Sequence, residues 1–117
     1  MPRDDIDARV ETHGLGLSLI FKPESAQSSR LILTAVKFHS DKDVGFNTFP
    51  GPLPSGLLFS DTRTEALAKL GEPCDAMPEL RRDIWRWNGL QLATRYAKQA
   101  PHQLTVITVE VPFEDEQ

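Results

Sequence analysis

Cysteine is almost absent. Cys74 is the only one in 117 residues, so no disulfide forms within the chain. No apolar run approaches the roughly 20 residues of a membrane-spanning helix, and the opening MPRDDIDARV lacks the apolar core of a signal peptide. These absences lead us to expect a cytoplasmic protein with no membrane contact. A basic excess is missing too: 13 Lys and Arg stand against 17 Asp and Glu, a net charge of −4. Nucleic-acid-binding domains show the opposite balance, so no nucleic acid is expected as a partner. A basic protein partner would fit. Internal repeats and low-complexity stretches are lacking as well. What remains, 39% hydrophobic and 26% charged residues, is the composition of one ordinary folded domain over 1–117.

Periodicity supplies the elements. Residues 1–12 are mostly charged and read as a frayed terminus, or at best a short edge strand through Ile6 and Val10. Leu15, Leu17, Leu19 and Phe21 alternate with period two, a strand. After a polar turn over 22–29, residues 30–39 read as a second, more deeply buried strand. Residues 40–55 form a long connection stiffened by Pro50, Pro52 and Pro54. Phe46, Phe49, Leu53 and Leu57 are spaced to pin it to the core.

Thr62 and Glu65 have the spacing of a capping box, with Ser60 as a competing N-cap. A short helix follows through Leu70. Gly71 is placed for a left-handed C-terminal stop, and Pro73 bars continuation. Two turns are unstable alone, so the helix is expected to lay Leu67 and Leu70 on a sheet. Residues 74–82 read as a polar loop. Asn88-Gly89 then marks a type I′ hairpin between 84–87 and 90–96. That turn sets Trp87 opposite Leu90 and Trp85 opposite Leu92, leaving Ile84, Arg86, Gln91, Ala93 and Arg95 on the other face. Residues 104–111 make the last strand, and the acidic FEDEQ reads as a frayed tail. The expected fold is α+β: an antiparallel sheet of about five strands, ordered ββαβββ, with one short helix packed on one face.

No cluster of catalytic residues emerges. His13, His39 and His102 are far apart, without a second ligand at metal spacing, and read as solvated loop-edge histidines. Cys74 lies past a helix C-terminus, the end that disfavours a thiolate. Gly14-Leu15-Gly16 lacks the third glycine and following helix of a phosphate loop. Ser55-Gly56 lacks a strand-to-helix elbow. Asp41 and Asp43 lack the further oxygens of a calcium loop. Trp85, Trp87 and Tyr96 read as core beneath the helix, with a stacking platform as the alternative. No metal, cofactor or enzymatic activity is expected.

The run LPSGLLFSDTRTEALAKLGEP over 53–73 resembles the hallmark of a family of small bacterial domains. Its members read G-x-L-P-x-G-L-x-F-x-x-[ST]-R-x-E-[AV]…L-G-x-P, then a Trp-containing and a Tyr-containing strand. Here Trp85, Trp87 and Tyr96 stand in those strands, and the resemblance covers about residues 14–111. These domains are similar in context to immunity proteins of polymorphic-toxin and contact-dependent systems. The helix-stop-sheet unit also looks like that of the β-barrel-assembly lipoprotein and of β-lactamase inhibitor proteins, although this chain lacks the lipobox cysteine and second helix of the former. The resemblance implies a non-enzymatic immunity protein that binds and neutralises a cognate toxin domain, and supplies no catalytic residue. The alternative is a small-ligand-binding domain or enzyme with a cavity between helix and sheet. Two surfaces have the arginine, aromatic and charged residues that interfaces favour. One is the loop with Asp41, Asp43 and Phe46, ranked slightly first for its proline stiffening. The other is the polar sheet face with Arg86, Gln91 and Arg95.

Overall fold

A computed structural model describes residues 8–25, 27, 30–42, 45–99 and 101–111. The strands are β1 (Ala8–Thr12), β2 (Leu17–Pro23), β3 (Leu31–His39), β4 (Asp75–Met77), β5 (Arg82–Trp87), β6 (Leu90–Tyr96) and β7 (Leu104–Glu110). Among the described residues one α-helix, α1 (Arg63–Leu70), interrupts them between β3 and β4. All seven strands form one antiparallel sheet in the spatial order β1-β2-β3-β7-β6-β5-β4.

Two of the seven strands overturn the expected five and the ββαβββ order. Both lie at the sheet's margins. β1 is charged, and β4 is three residues long and directly precedes Pro78. Such edge strands carry charge and proline as protection against further pairing, and so display no period-two apolar signal. β3 also departs from expectation. Leu31, Ile32 and Leu33 are 39–46% exposed, and burial is complete only toward Ala35 and His39. The first half of β3 extends past its β7 neighbour, whose pairing begins at Ala35.

The sheet is two meanders joined at β3 and β7, and residues 40–74 cross from the middle of the sheet to its far edge. That crossover carries α1 over β5, β6 and β7. Leu57, Ala66, Trp85, Leu92, Tyr96, Leu104 and Ile107 form the core, with Leu53, Phe59, Leu67, Leu70 and Trp87 packed at its border. The helix does not lay a Leu67/Leu70 stripe on the sheet as expected. Ala66 is its fully buried residue, and the two leucines are only partly covered. The reason is competition for space: Leu53, Leu57 and Phe59 of the preceding loop occupy much of the same face.

Local signals place the helix. Thr62 and Glu65 form the full capping box, which selects Thr62 over Ser60. Gly71 ends the helix at φ 85° and ψ −164°, a glycine conformation with positive φ but not the left-handed helical one. Its N–H donates to Leu67 O at 2.7 Å, and its carbonyl accepts the Trp85 indole N–H at 3.0 Å. Asp61, 5% exposed, accepts Lys69 Nζ at 2.7 Å and the Leu58 N–H at 3.0 Å. Leu104 N–H donates to the Asp61 carbonyl, fixing the start of α1 to the start of β7.

Candidate functional site

The hairpin of β5 and β6 pairs Trp87 with Leu90 and Trp85 with Leu92, as the Asn88-Gly89 turn dictates. Trp85 and Tyr96 are 4% and 3% exposed, so they are core and not a stacking platform. Alternation therefore sends Arg82, Ile84, Arg86, Gln91, Ala93 and Arg95 to the face opposite α1. Across the ladder, Thr108 and Glu110 of β7 and Lys37 of β3 join them there, because Ala93 faces Thr108, Gln91 faces Glu110 and Lys37 faces Thr108.

This face holds a groove of about 660 Å³. Ala93 and Thr108, opposed in register and buried, form its low floor. Among the described residues, six basic side chains line it, Lys37, Lys42, Arg81, Arg82, Arg95 and Lys98, and Glu110 is the one carboxylate. Arg82 Nη2 lies 3.9 Å from Glu110 Oε2, spanning the floor, while Gln91 Nε2 donates to the same oxygen at 2.6 Å. Burial, then the nearby Arg9 and Arg82 charges, lower the pKa of the Lys37 ammonium, with Glu110 opposing the shift. A β-bulge at Arg95/Tyr96 sits at the groove's end. There Tyr96 N–H donates to the carbonyl of Arg81, which occupies the left-handed region at φ 53°.

A second hollow of about 220 Å³ adjoins it and shares Arg81, Arg82, Tyr96 and Ala97. Its polar wall is Asp83, 2% exposed, whose two carboxylate oxygens accept from Arg63 Nε at 2.7 Å and Nη2 at 3.1 Å. This bidentate pair ties the first residue of α1 to β5. Thr94 Oγ1 donates to Tyr96 Oη at 2.9 Å. Burial, reinforced by the Asp83 carboxylate, pushes the Tyr96 phenol up to about 12.

The two anticipated partner surfaces fare differently. Arg86 and Arg95 are exposed, and Gln91 is half-buried by its bond to Glu110. All three share the groove's face. In the loop, Asp41 is exposed and its N–H donates to Thr48 Oγ1 at 3.0 Å; Asp43 lies outside the described residues. Phe46 stacks on His39 with ring centroids 3.7 Å apart and planes 6° apart, and His13 lies 4.5 Å from the same ring. Phe46 thus fastens the loop to the sheet. His39 was expected in solvent; it is 5% exposed, with Nε2 2.9 Å from Ser18 Oγ. The ring stack and the serine pair explain that burial. His102 and His13 are exposed.

Lys37, Lys42, Arg81, Arg82 and Lys98 were not anticipated as site residues. They are dispersed over three segments, and only strand pairing brings them together. The adjacent Arg81-Arg82 ahead of a strand was the one local signal. Among the described residues, no three His, Cys, Asp or Glu side chains are placed to hold a metal ion, and no helix is long and apolar enough to cross a membrane. No family model matches the chain, and neither a curated protein nor a solved structure matches it.

Proposed function

We propose that this chain is a non-enzymatic, immunity-type protein that binds and neutralises a cognate toxin domain through the sheet face opposite α1. One observation carries the choice of surface. The face displays exposed Arg86 and Arg95 beside half-buried Arg82 and Gln91, while α1 and the Leu53–Phe59 residues pack on the other side. The strand ladder fixes the backbone beneath these arginines before binding, so only their side chains remain to be ordered. Arginine is also among the residues that dominate interface energetics. The class of partner comes from the resemblance of residues 53–73 to immunity domains. The loop with Asp41 is the weaker surface, because Phe46 is already engaged by His39.

The test starts at the neighbouring gene: a toxin-bearing protein encoded there is co-expressed with this chain, and a neighbourhood of metabolic genes alone refutes the reading. The expected result is rescued growth and an equimolar complex on size exclusion. An Arg86→Glu/Arg95→Glu variant with an unchanged thermal melt should lose both. Rescue that survives this double reversal refutes the sheet face, and toxicity undiminished by the wild-type chain refutes the immunity reading.

A further inference from the structure

The groove's charge is out of keeping with the chain as a whole. Net charge is −4, yet among the described residues six bases and one carboxylate line the groove. The sequence accounts for the difference: Asp4, Asp5, Asp7, Glu114, Asp115 and Glu116 all fall in the first seven or last six residues. The folded sheet therefore concentrates basic groups that the overall composition conceals.

Within the groove this arrangement is costly to the free protein. Arg82 and Arg95 stand directly opposite in the β5–β6 ladder, where like charges destabilise a strand pair. Lys37 lies near enough to Arg82 and Arg9 for their charges to act on its ammonium. Glu110 reaches Arg82 only at 3.9 Å and is shared with Gln91. Among the described residues Glu110 is the one carboxylate set against Lys37, Arg82 and Arg95, so an anionic ligand would relieve the repulsion as well as gain hydrogen bonds.

We infer that this groove receives a carboxylate-rich segment of the protein partner, with Arg82 and Arg95 as the principal anchors and Lys37, on β3 of the same face, as a further positive charge. The inference rests on the protein-binding reading above. Planar guanidinium groups suit carboxylates, which they bind in bidentate fashion. The low Ala93/Thr108 floor, on β6 and β7, leaves room for a polypeptide chain alongside the arginine pair. A nucleic acid fits less well. Single strands are held by stacked aromatic rings as well as phosphate contacts, but Tyr96, the tyrosine in the lining, is 3% exposed. A long phosphate backbone would also have to run out of the groove over a protein of net negative charge.

Fluorescence anisotropy with a labelled peptide of alternating Glu and Ser tests this at low salt. Arg82→Glu/Arg95→Glu is compared with Lys22→Glu/Arg30→Glu, which makes the same change in net charge outside the groove. Arg82→Gln/Arg95→Gln serves as a milder variant, and melting curves check that each is folded. The groove variants should weaken binding on the order of tenfold or more, as expected for lost charge-assisted hydrogen bonds, and the outer pair by less than about twofold if only screened long-range charge is altered. Equal losses in both pairs, or no loss, overturn the inference. So does groove-dependent binding of an oligothymidylate of equal charge that is tighter than that of the peptide. The two readings separate cleanly. A toxin complex insensitive to Arg82→Gln/Arg95→Gln sinks the groove alone, whereas groove-dependent peptide binding without toxin protection sinks the immunity reading alone.

Discussion

Tyr96 condenses several constraints into one side chain. Its ring is core, and its hydroxyl accepts from Thr94 beside the buried Asp83 carboxylate. Burial favours the neutral phenol, so its pKa rises from an ordinary 10.0 to about 12. A raised folded-state value means this contribution is intact below pH about 10 and is lost as pH climbs through about 12. At full loss it amounts to about 2–3 kcal/mol. Because Tyr96 is the only tyrosine, ultraviolet titration of tyrosinate reads it directly. A midpoint near 10 in the folded protein would show that the phenol is not buried in this way. Tyr96→Phe should flatten the stability loss across pH 10 to 12 while costing about 1 kcal/mol at neutral pH for the lost hydrogen bond. His39 is a parallel case: Ser18 and Phe46 hold it inside, although its sequence context is that of a strand end followed by a turn.

At the scale of elements, local chemistry settles where pieces start and stop, and tertiary contact settles what they touch. The Thr62/Glu65 box and the Asn88-Gly89 turn were legible because each completes its hydrogen bonds within four residues. Gly16 was legible only as a turn glycine. Its φ is 65°, and a Cβ there would meet the Asn47 carbonyl, Phe49 N at 2.6 Å and His39 O at 2.9 Å. The glycine is where residues 47–49 cross the sheet's end: Asn47 N–H donates to His13 O, Phe49 N–H to His39 O, and His39 N–H to Gly16 O. Gly16→Ala should therefore cost more than the roughly 1 kcal/mol of a positive φ alone, because backbone and not a flexible side chain blocks the methyl. Gly14→Ala, with nothing within 4 Å of its Cβ position, should be far milder. Chemical denaturation of the two variants decides it, and equal midpoints would disprove the close approach.

Across the whole molecule, burial is uneven. Leu92, Leu104 and Ile107 are fully covered beneath α1, whereas Leu31, Ile32 and Leu33 at the far end of β3 are 39–46% exposed. Leu104→Ala should lose about 2–5 kcal/mol, and Leu33→Ala within about 1 kcal/mol. Thermal melts that fall equally would place the core elsewhere. Charge is equally uneven. Acidic residues gather toward the chain's ends in sequence, and basic ones meet on the sheet face opposite α1. An average of −4 therefore describes neither region, and a composition argument about partners fails where a local field governs binding.

Local signals in the chain locate β2, β3 and β7, the β5–β6 register with its two tryptophans facing one way, and the helix with its capping box. Each of these follows from interactions between residues close along the chain, or from a period that one buried face imposes. The same signals put Leu15 in β2 where it lies in the turn before it, overstate the burial of β3, and give Gly71 a left-handed conformation it does not adopt. Tertiary structure alone decided the rest. It added β1 and β4, because edge strands need a neighbour's free N–H and C=O groups more than an apolar face. It gave the centre of the helix contact to Ala66, because Leu57 and its neighbours had already filled the adjoining space. It also brought Lys37, Arg82 and Arg95 together from three strands. Cross-strand pairing between distant segments created that groove, and no local spacing in the chain encodes such a meeting.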